Sequence, residues 1–138
     1  SGLQEAIVVD IGGTTTDLGA LTNGFPREAS VEVEVGGVRT NFRMPDVFSF
    51  GLGGGSLVTG EGSTLQIGPV SVGYELTTRG RVFGGDTLTA TDIVVASGRA
   101  SLGEKSRVAD LSQAFIADAL AAMQKRVEDA RPRGGVLV

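Results

Sequence analysis

Along this chain the apolar positions change period once, from strand-like runs in the first half to a helical stripe near the end. Residues 5–11 (EAIVVDI) are nearly all apolar, the pattern of a central strand covered on both faces. After a turn at residues 12–16, DLGALTNG runs back as a second strand. It ends at Asn23-Gly24, a favoured pair for a hairpin turn. SVEVEV (30–35) alternates strictly, with Val31, Val33 and Val35 on one face and Glu32 and Glu34 on the other. Gly36-Gly37 then turns it into VRTNF, so three consecutive antiparallel strands come without a helix between them. DVFSF (46–50), SLVTG and TLQIGPV read as further short strands, with Phe48 and Phe50 as core residues. Residues 74–86 keep no clean period and read as irregular or weakly extended.

The helices come last. Thr89 followed by Asp92 forms a capping-box arrangement, and ATDIVVAS ends at Gly98, the usual place for glycine just past a helix. Val108, Leu111, Phe115, Ala119, Met123, Val127 and Ala130 recur at steps of three or four, which predicts a long amphipathic helix. Asp110 with Gln113 suits its start, Lys125, Arg126 and Arg131 its negative end, and Pro132 its stop. Strands first, then helices, then a strand-like GGVLV predict an α/β fold, a mixed sheet with antiparallel first strands and packed helices. The length is that of one domain, and neither an internal repeat nor a flexible linker divides it. A start without methionine and a stop in a strand-like run lead us to expect residues 1–138 to be a single, incomplete domain excised from a longer chain.

Composition alters this picture in two ways. Glycine, at 22 of 138 residues, is roughly twice its usual frequency of about 7% and has no collagen-like period. These glycines read as turns and loops with special backbone needs, not as disorder. The chain also lacks cysteine and histidine, which removes disulfides, thiolate chemistry, the commonest general base and the commonest zinc ligand. Any chemistry is left to carboxylates, hydroxyls, backbone amides or a hard metal ion. A net charge of −4 and a pI near 4.8 argue against nucleic acid and anionic membranes as partners. With no signal peptide and no apolar run of spanning length, the expected location is cytoplasmic.

Two glycine loops could carry that chemistry. In DIGGTTTD, Gly12 and Gly13 let backbone amides converge on an anion, and Thr14, Thr15 and Thr16 add hydroxyl donors. Asp10 ends the strand where it can hold Mg²⁺ or its waters against phosphate oxygens, and Asp17 is a second hard ligand or a capper of the turn. The same residues also suit a hairpin whose Asp and Thr side chains merely satisfy its own backbone. No Gly-Lys-Ser/Thr follows, so this is not a Walker loop. In GLGGGS, Gly53, Gly54 and Gly55 with Ser56 as hydroxyl donor read either as a second anion-binding turn or as a place where two backbones approach closely. TATD (89–92) reads first as a helix cap, and Glu32, Glu34 and Glu104 as solvated charges.

Taken in series, VVDIGGTTTDLGALTNGFP, PDVFSFGLGGGSLV, LQIGPVSVG and LTATDIVVASGR resemble the hydantoinase A / oxoprolinase family across most of residues 6–99. The resemblance implies the ribonuclease-H-like fold of the actin, sugar-kinase and Hsp70 ATPase superfamily. It implies an ATP-dependent hydrolase of cyclic amides such as hydantoins or 5-oxoproline, with ATP and Mg²⁺ as cofactors. By that likeness Gly12, Gly13 and Thr14–Thr16 hold the phosphates, Asp10 and Asp17 serve catalysis and the metal, and Gly53–Gly55 with Ser56 line the adjoining site. Implied partners are a small cyclic amide, the remaining domains of the longer chain and a second hydantoinase subunit. The chain departs from the family where a proline-rich PGPACYG stretch is replaced by YELTTRGRVFGG, which bears on the substrate. Two alternatives stay open: a non-metabolic actin-like ATPase or assembly domain, and a fragment with no activity of its own.

Overall fold

Strands precede helices, as the hydrophobic periods predict. The computed structural model of the protein describes Gly2, residues 4–35 and residues 37–130. These form two compact units: residues up to Asp10 with Asp17–Ser49, and Ile11–Thr16 with Phe50–Ala130. The fold is α/β, with antiparallel sheets and helices.

In the first unit, β1 (Glu5–Ile11), β2 (Thr16–Thr22) and β3 (Phe25–Pro26) lie in that order in one sheet, and β6 (Val47–Phe50) also pairs with β2. Asn23 and Gly24 take φ of 53° and 80°, the left-handed pair that a two-residue hairpin turn requires, and they set Thr22 opposite Phe25. β4 (Glu28–Val35) and β5 (Val38–Pro45) form a separate antiparallel ribbon, from Glu28 opposite Pro45 to Val35 opposite Val38. Gly37 turns that ribbon at φ +81°, while its predicted partner Gly36 lies outside the described residues. The expectation that β1 is covered on both faces fails. Ala6, Ile7 and the neighbouring Leu18 are buried, but Val8 and Ile11 stay exposed. Among the described strands β1 pairs only with β2, at the edge of the described sheet. Phe48, expected in the core, is likewise 53% exposed.

The second unit pairs β7 (Ser56–Thr59) with β8 (Gln66–Ser71) and packs helices against them. Leu52, Val58, Ile67, Ile93, Val95 and Ile116 are the centre of its core. Residues 74–86, expected to be irregular, form a run of short helical turns: 3₁₀ turns at Gly73–Glu75 and Arg81–Phe83 flank α1 (Leu76–Arg79). α2 (Ala90–Ala96) begins with the predicted box, in which the Thr89 and Asp92 side chains each meet the other's backbone. Such a cap stabilises by about 1 kcal/mol. At its other end the amides of Gly98 and Arg99 donate to Val95 O and Val94 O, and Gly98 takes φ +79°, a left-handed stop that glycine adopts without strain.

α3 (Gln113–Ala130) starts later than its apolar stripe suggests. Ser112, not Asp110, caps it, its Oγ accepting from Phe115 N at 3.1 Å. Asp110 instead accepts from the Arg81 guanidinium at 2.6 Å, which holds its carboxyl below the usual aspartate range. Arg126 does not serve the helix end either. Its guanidinium donates to Gly51 O and Ile67 O and lies 5.7 Å from the Phe50 ring centroid, tying the helix to the strands beneath it. Lys125 pairs with Asp129, whose hydrogen bond raises the lysine pKa, while Arg131 and Pro132 lie outside the described residues. Among the described residues no helix is long and apolar enough to cross a membrane.

Candidate functional site

The loop after β1 is a tight turn closed by Gly12 N donating to Thr15 O at 2.8 Å. Gly12, Gly13, Thr14 and Thr15 are exposed. The carbonyls of Gly12 and Gly13 point inward, accepting from Gly54 N at 2.9 Å and Gly55 N at 2.7 Å. A trans peptide carries its N–H opposite its C=O, so inward carbonyls at residues 12 and 13 send the amides of Gly13 and Thr14 outward. Among the described residues, the amides of Gly13, Thr14 and Thr15 and the hydroxyls of Thr14 and Thr15 make no hydrogen bond within the chain. Neither glycine has positive φ, and a Cβ on Gly13 would meet nothing within 4 Å.

The second glycine run is built in the opposite way. Gly53 N donates to Ser56 Oγ at 2.9 Å and Ser56 N to Gly53 O at 3.0 Å, so with Gly54 and Gly55 bonded to the first loop every amide from 53 to 56 is engaged. A Cβ on Gly53 would lie 2.6 Å from Gly13 C, 2.6 Å from Thr14 N and 2.7 Å from Gly12 O. Only glycine permits that approach. Ser56 is fully buried, and so is Thr16, whose hydroxyl donates to Leu52 O at 2.6 Å. Of the hydroxyls singled out from sequence, these two face inward and Thr14 and Thr15 face solvent.

Two further segments complete the arrangement. Ser71 Oγ donates to Gly13 O at 3.4 Å and Val72 N to Gly55 O at 2.9 Å. Thr91 donates twice to Gly54 O, from its amide at 3.0 Å and its hydroxyl at 2.9 Å. The motifs DIGGTTTD, GLGGGS, GPVSVG and TATD, separate in sequence, therefore meet in one backbone-bonded cluster. Asp92 anchors it from behind: fully buried, it accepts from Thr89 N, Thr89 Oγ1, Arg81 N and Val82 N. Sequence marked Asp92 only as a cap. Its second task, fixing the 81–83 turn, has no local signal.

Asp10 and Asp17 belong to the first unit, where both line a hollow of about 270 Å³ with Gly19, Arg27 and Asp46. Asp10 is exposed, and half-buried Asp17 accepts a hydrogen bond from Ser49 Oγ. Among the described residues no three acidic side chains gather closely enough to hold a metal ion by themselves. As hard oxygen donors lining one hollow, Asp10 and Asp17 are of the ligand type that Mg²⁺ takes. In the second unit a largely apolar hollow of about 390 Å³ opens between α2 and α3, with Thr91, Arg99 and Gln124 among its lining residues.

The clustered motifs are those of a known family, and the family model for hydantoinase/oxoprolinase matches residues 1–104. The chain belongs to the hydantoinase/oxoprolinase family. Among solved structures it is similar to a nucleotide-free acetone carboxylase, from work on the mechanism of ATP-dependent acetone carboxylation. That match has 24% identity and a TM-score of 0.58, over 92% of this chain and 20% of the other. It is also similar to the ATP-dependent caprolactamase from Pseudomonas jessenii, with 28% identity and a TM-score of 0.53, over 88% of this chain and 18% of that one. The chain thus spans about a fifth of the length of these two family relatives. A comparison with curated proteins finds no match.

Proposed function

We propose that this chain is the phosphate-holding part of an ATP-dependent cyclic-amide hydrolase of the hydantoinase or 5-oxoprolinase type, on a ribonuclease-H-like, actin-like ATPase fold. One observation carries the reading: the loop at residues 12–15 turns the carbonyls of Gly12 and Gly13 inward and leaves the amides of Gly13, Thr14 and Thr15 and the hydroxyls of the exposed Thr14 and Thr15 unengaged. Such a surface is complementary to an anion, and phosphate is the anion that hydroxyls and converging amides suit best. Gly13, Thr14 and Thr15 are the donors in this reading. Gly12 closes the turn, and Thr16, Gly53–Gly55 and Ser56 support it from beneath. The two similar structures, both of ATP-dependent systems by name, support ATP as the source of the phosphate.

Asp10 and Asp17 would hold Mg²⁺, which when bound neutralises charge on the transferring phosphoryl group. Phosphoryl transfer from ATP to the amide oxygen would make the ring carbon electrophilic. Water would then add there, and the C–N bond would break with a proton going to nitrogen. A second water would release phosphate from the acyl phosphate, so the protein's task is mainly to position and to neutralise. The remaining domains of a longer chain, and a second hydantoinase subunit, would supply the rest of the site. The decisive experiment is product analysis of a full-length protein containing this chain, with ATP, Mg²⁺ and a panel of hydantoins and lactams. ATP-dependent ring opening is the expected result, and Asp10→Asn abolishes it while the circular dichroism spectrum stays unchanged. Turnover of that variant within about threefold of wild type rules out the metal role, and no ring opening from any member of the panel rules out the substrate class.

A further inference from the structure

The bonds between the two glycine runs pass through whole peptide groups, and following them atom by atom yields two parallel chains. In one, Ser56 N donates to Gly53 O; the same peptide's N–H, on Gly54, donates to Gly12 O; and that peptide's N–H is the outward amide of Gly13. In the other, Thr91 donates from both its amide and its hydroxyl to Gly54 O. That peptide's N–H, on Gly55, donates to Gly13 O, which Ser71 Oγ also reaches, and the peptide ends in the outward amide of Thr14. Both chains lie wholly within the second unit.

A hydrogen bond accepted at a carbonyl polarises its peptide and makes the N–H at the other end a better donor, so bonds in series strengthen one another. The two amides that end these chains are the ones left open to solvent. We infer that GLGGGS is not a ligand loop but a relay that polarises and fixes the amides of Gly13 and Thr14, with Thr91 the positioning residue for Thr14. Gly53 and Gly55 are glycine because the relay needs backbone against backbone: a Cβ on Gly55 would stand 2.8 Å from Ser71 Oγ and 3.0 Å from Gly13 O. The inference rests on the anion-loop reading only for its binding consequence; the relay itself is testable without any ligand.

The test uses the 138-residue chain, amide NMR and inorganic tripolyphosphate as the probe. In the unliganded wild type, the amides of Gly54 and Gly55 are expected to be protected from solvent exchange, and those of Gly13 and Thr14 to exchange freely. Thr91→Val removes one of the two donors to Gly54 O and should move the Gly55 and Thr14 amide protons upfield. Gly13, at the end of the other chain, should hold still as the internal control. Thr91→Ser should restore the wild-type positions, which a general loss of packing would not do. Tripolyphosphate should perturb Gly13 and Thr14 and bind Thr91→Val about threefold more weakly, the effect of one modest hydrogen-bond contribution. The relay is overturned if Gly54 and Gly55 exchange freely, if Thr91→Val moves Gly13 as much as Thr14 or moves neither, or if the probe perturbs Gly54 and Gly55 instead. Should the shifts follow Thr91 while the wild type binds no tripolyphosphate, the relay stands and the anion reading of the loop falls.

Discussion

Gly12-Gly13 and Gly53-Gly54-Gly55 are alike in sequence, both being glycine runs that follow a strand and precede hydroxyl side chains. In the structure they are opposites. The first keeps its carbonyls engaged and its outward amides open, and a side chain on Gly13 would meet empty space. The second has its amides engaged, and a side chain on Gly53 would collide with three backbone atoms. Glycine serves access in one place and close packing in the other. A glycine-rich segment is therefore a statement that something comes near the backbone, and only the hydrogen-bond partners say whether it is ligand or protein.

Substituting Gly53 should break this contrast most violently. With contacts of 2.6–2.7 Å to backbone on the facing loop, a Cβ cannot be accommodated by a rotamer change. Gly53→Val is expected to cost about 3 kcal/mol or more, the severe end of overpacking, read as a lower urea midpoint at unchanged slope. A loss below about 1 kcal/mol would mean that the two loops part easily and that the packing role assigned to Gly53 is wrong.

Next in size comes the buried carboxylate that holds the cluster from behind. Asp92→Asn keeps shape and volume but turns one acceptor into a donor facing N–H and O–H groups that are already donors. The expected loss is about 2 kcal/mol in the same titration, typical of a buried hydrogen-bonding group left facing like. Stability equal to wild type would show that the carboxylate is a bystander to both the α2 cap and the 81–83 turn.

How much of this was legible beforehand follows from the range of each interaction. The Asn23-Gly24 hairpin, the Thr89–Asp92 cap and the Gly98 stop involve neighbours within five residues, and the sequence patterns predict all three. The helical turns between residues 73 and 83 were illegible because their ties are remote. Asp92 holds the amides of Arg81 and Val82, and Glu104 N donates to Val82 O at 2.7 Å. Asp110 was misread for the same reason: a residue 29 positions away claims its carboxylate. Sequence singled out two glycine loops that the structure brings together, yet how each is used depends on bonds such as Gly54 N to Gly12 O, between residues 42 positions apart in the chain. No local pattern carries that information.

The smallest effect on the fold, and the sharpest test of the contrast, belongs to Gly13. Its φ is not positive and the space beyond its Cα is open, so an alanine there needs no unusual backbone and displaces no neighbour. Removing a glycine also narrows the unfolded ensemble, which favours the folded state by up to about 0.4–1 kcal/mol where the native conformation permits it. Gly13→Ala should therefore leave the urea midpoint unchanged or slightly raised, the reverse of Gly53→Val. Its penalty should appear only when an anion approaches, because the added methyl stands on the exposed side of the loop, near the amides left open. Tripolyphosphate affinity is expected to fall about threefold, of the order of one weakened hydrogen bond. A loss of more than about 1 kcal/mol of stability would make Gly13 a packing glycine like Gly53 and dissolve the contrast. Unchanged stability with unchanged affinity would instead place the anion away from Gly13, leaving Thr14 and Thr15 as the donors.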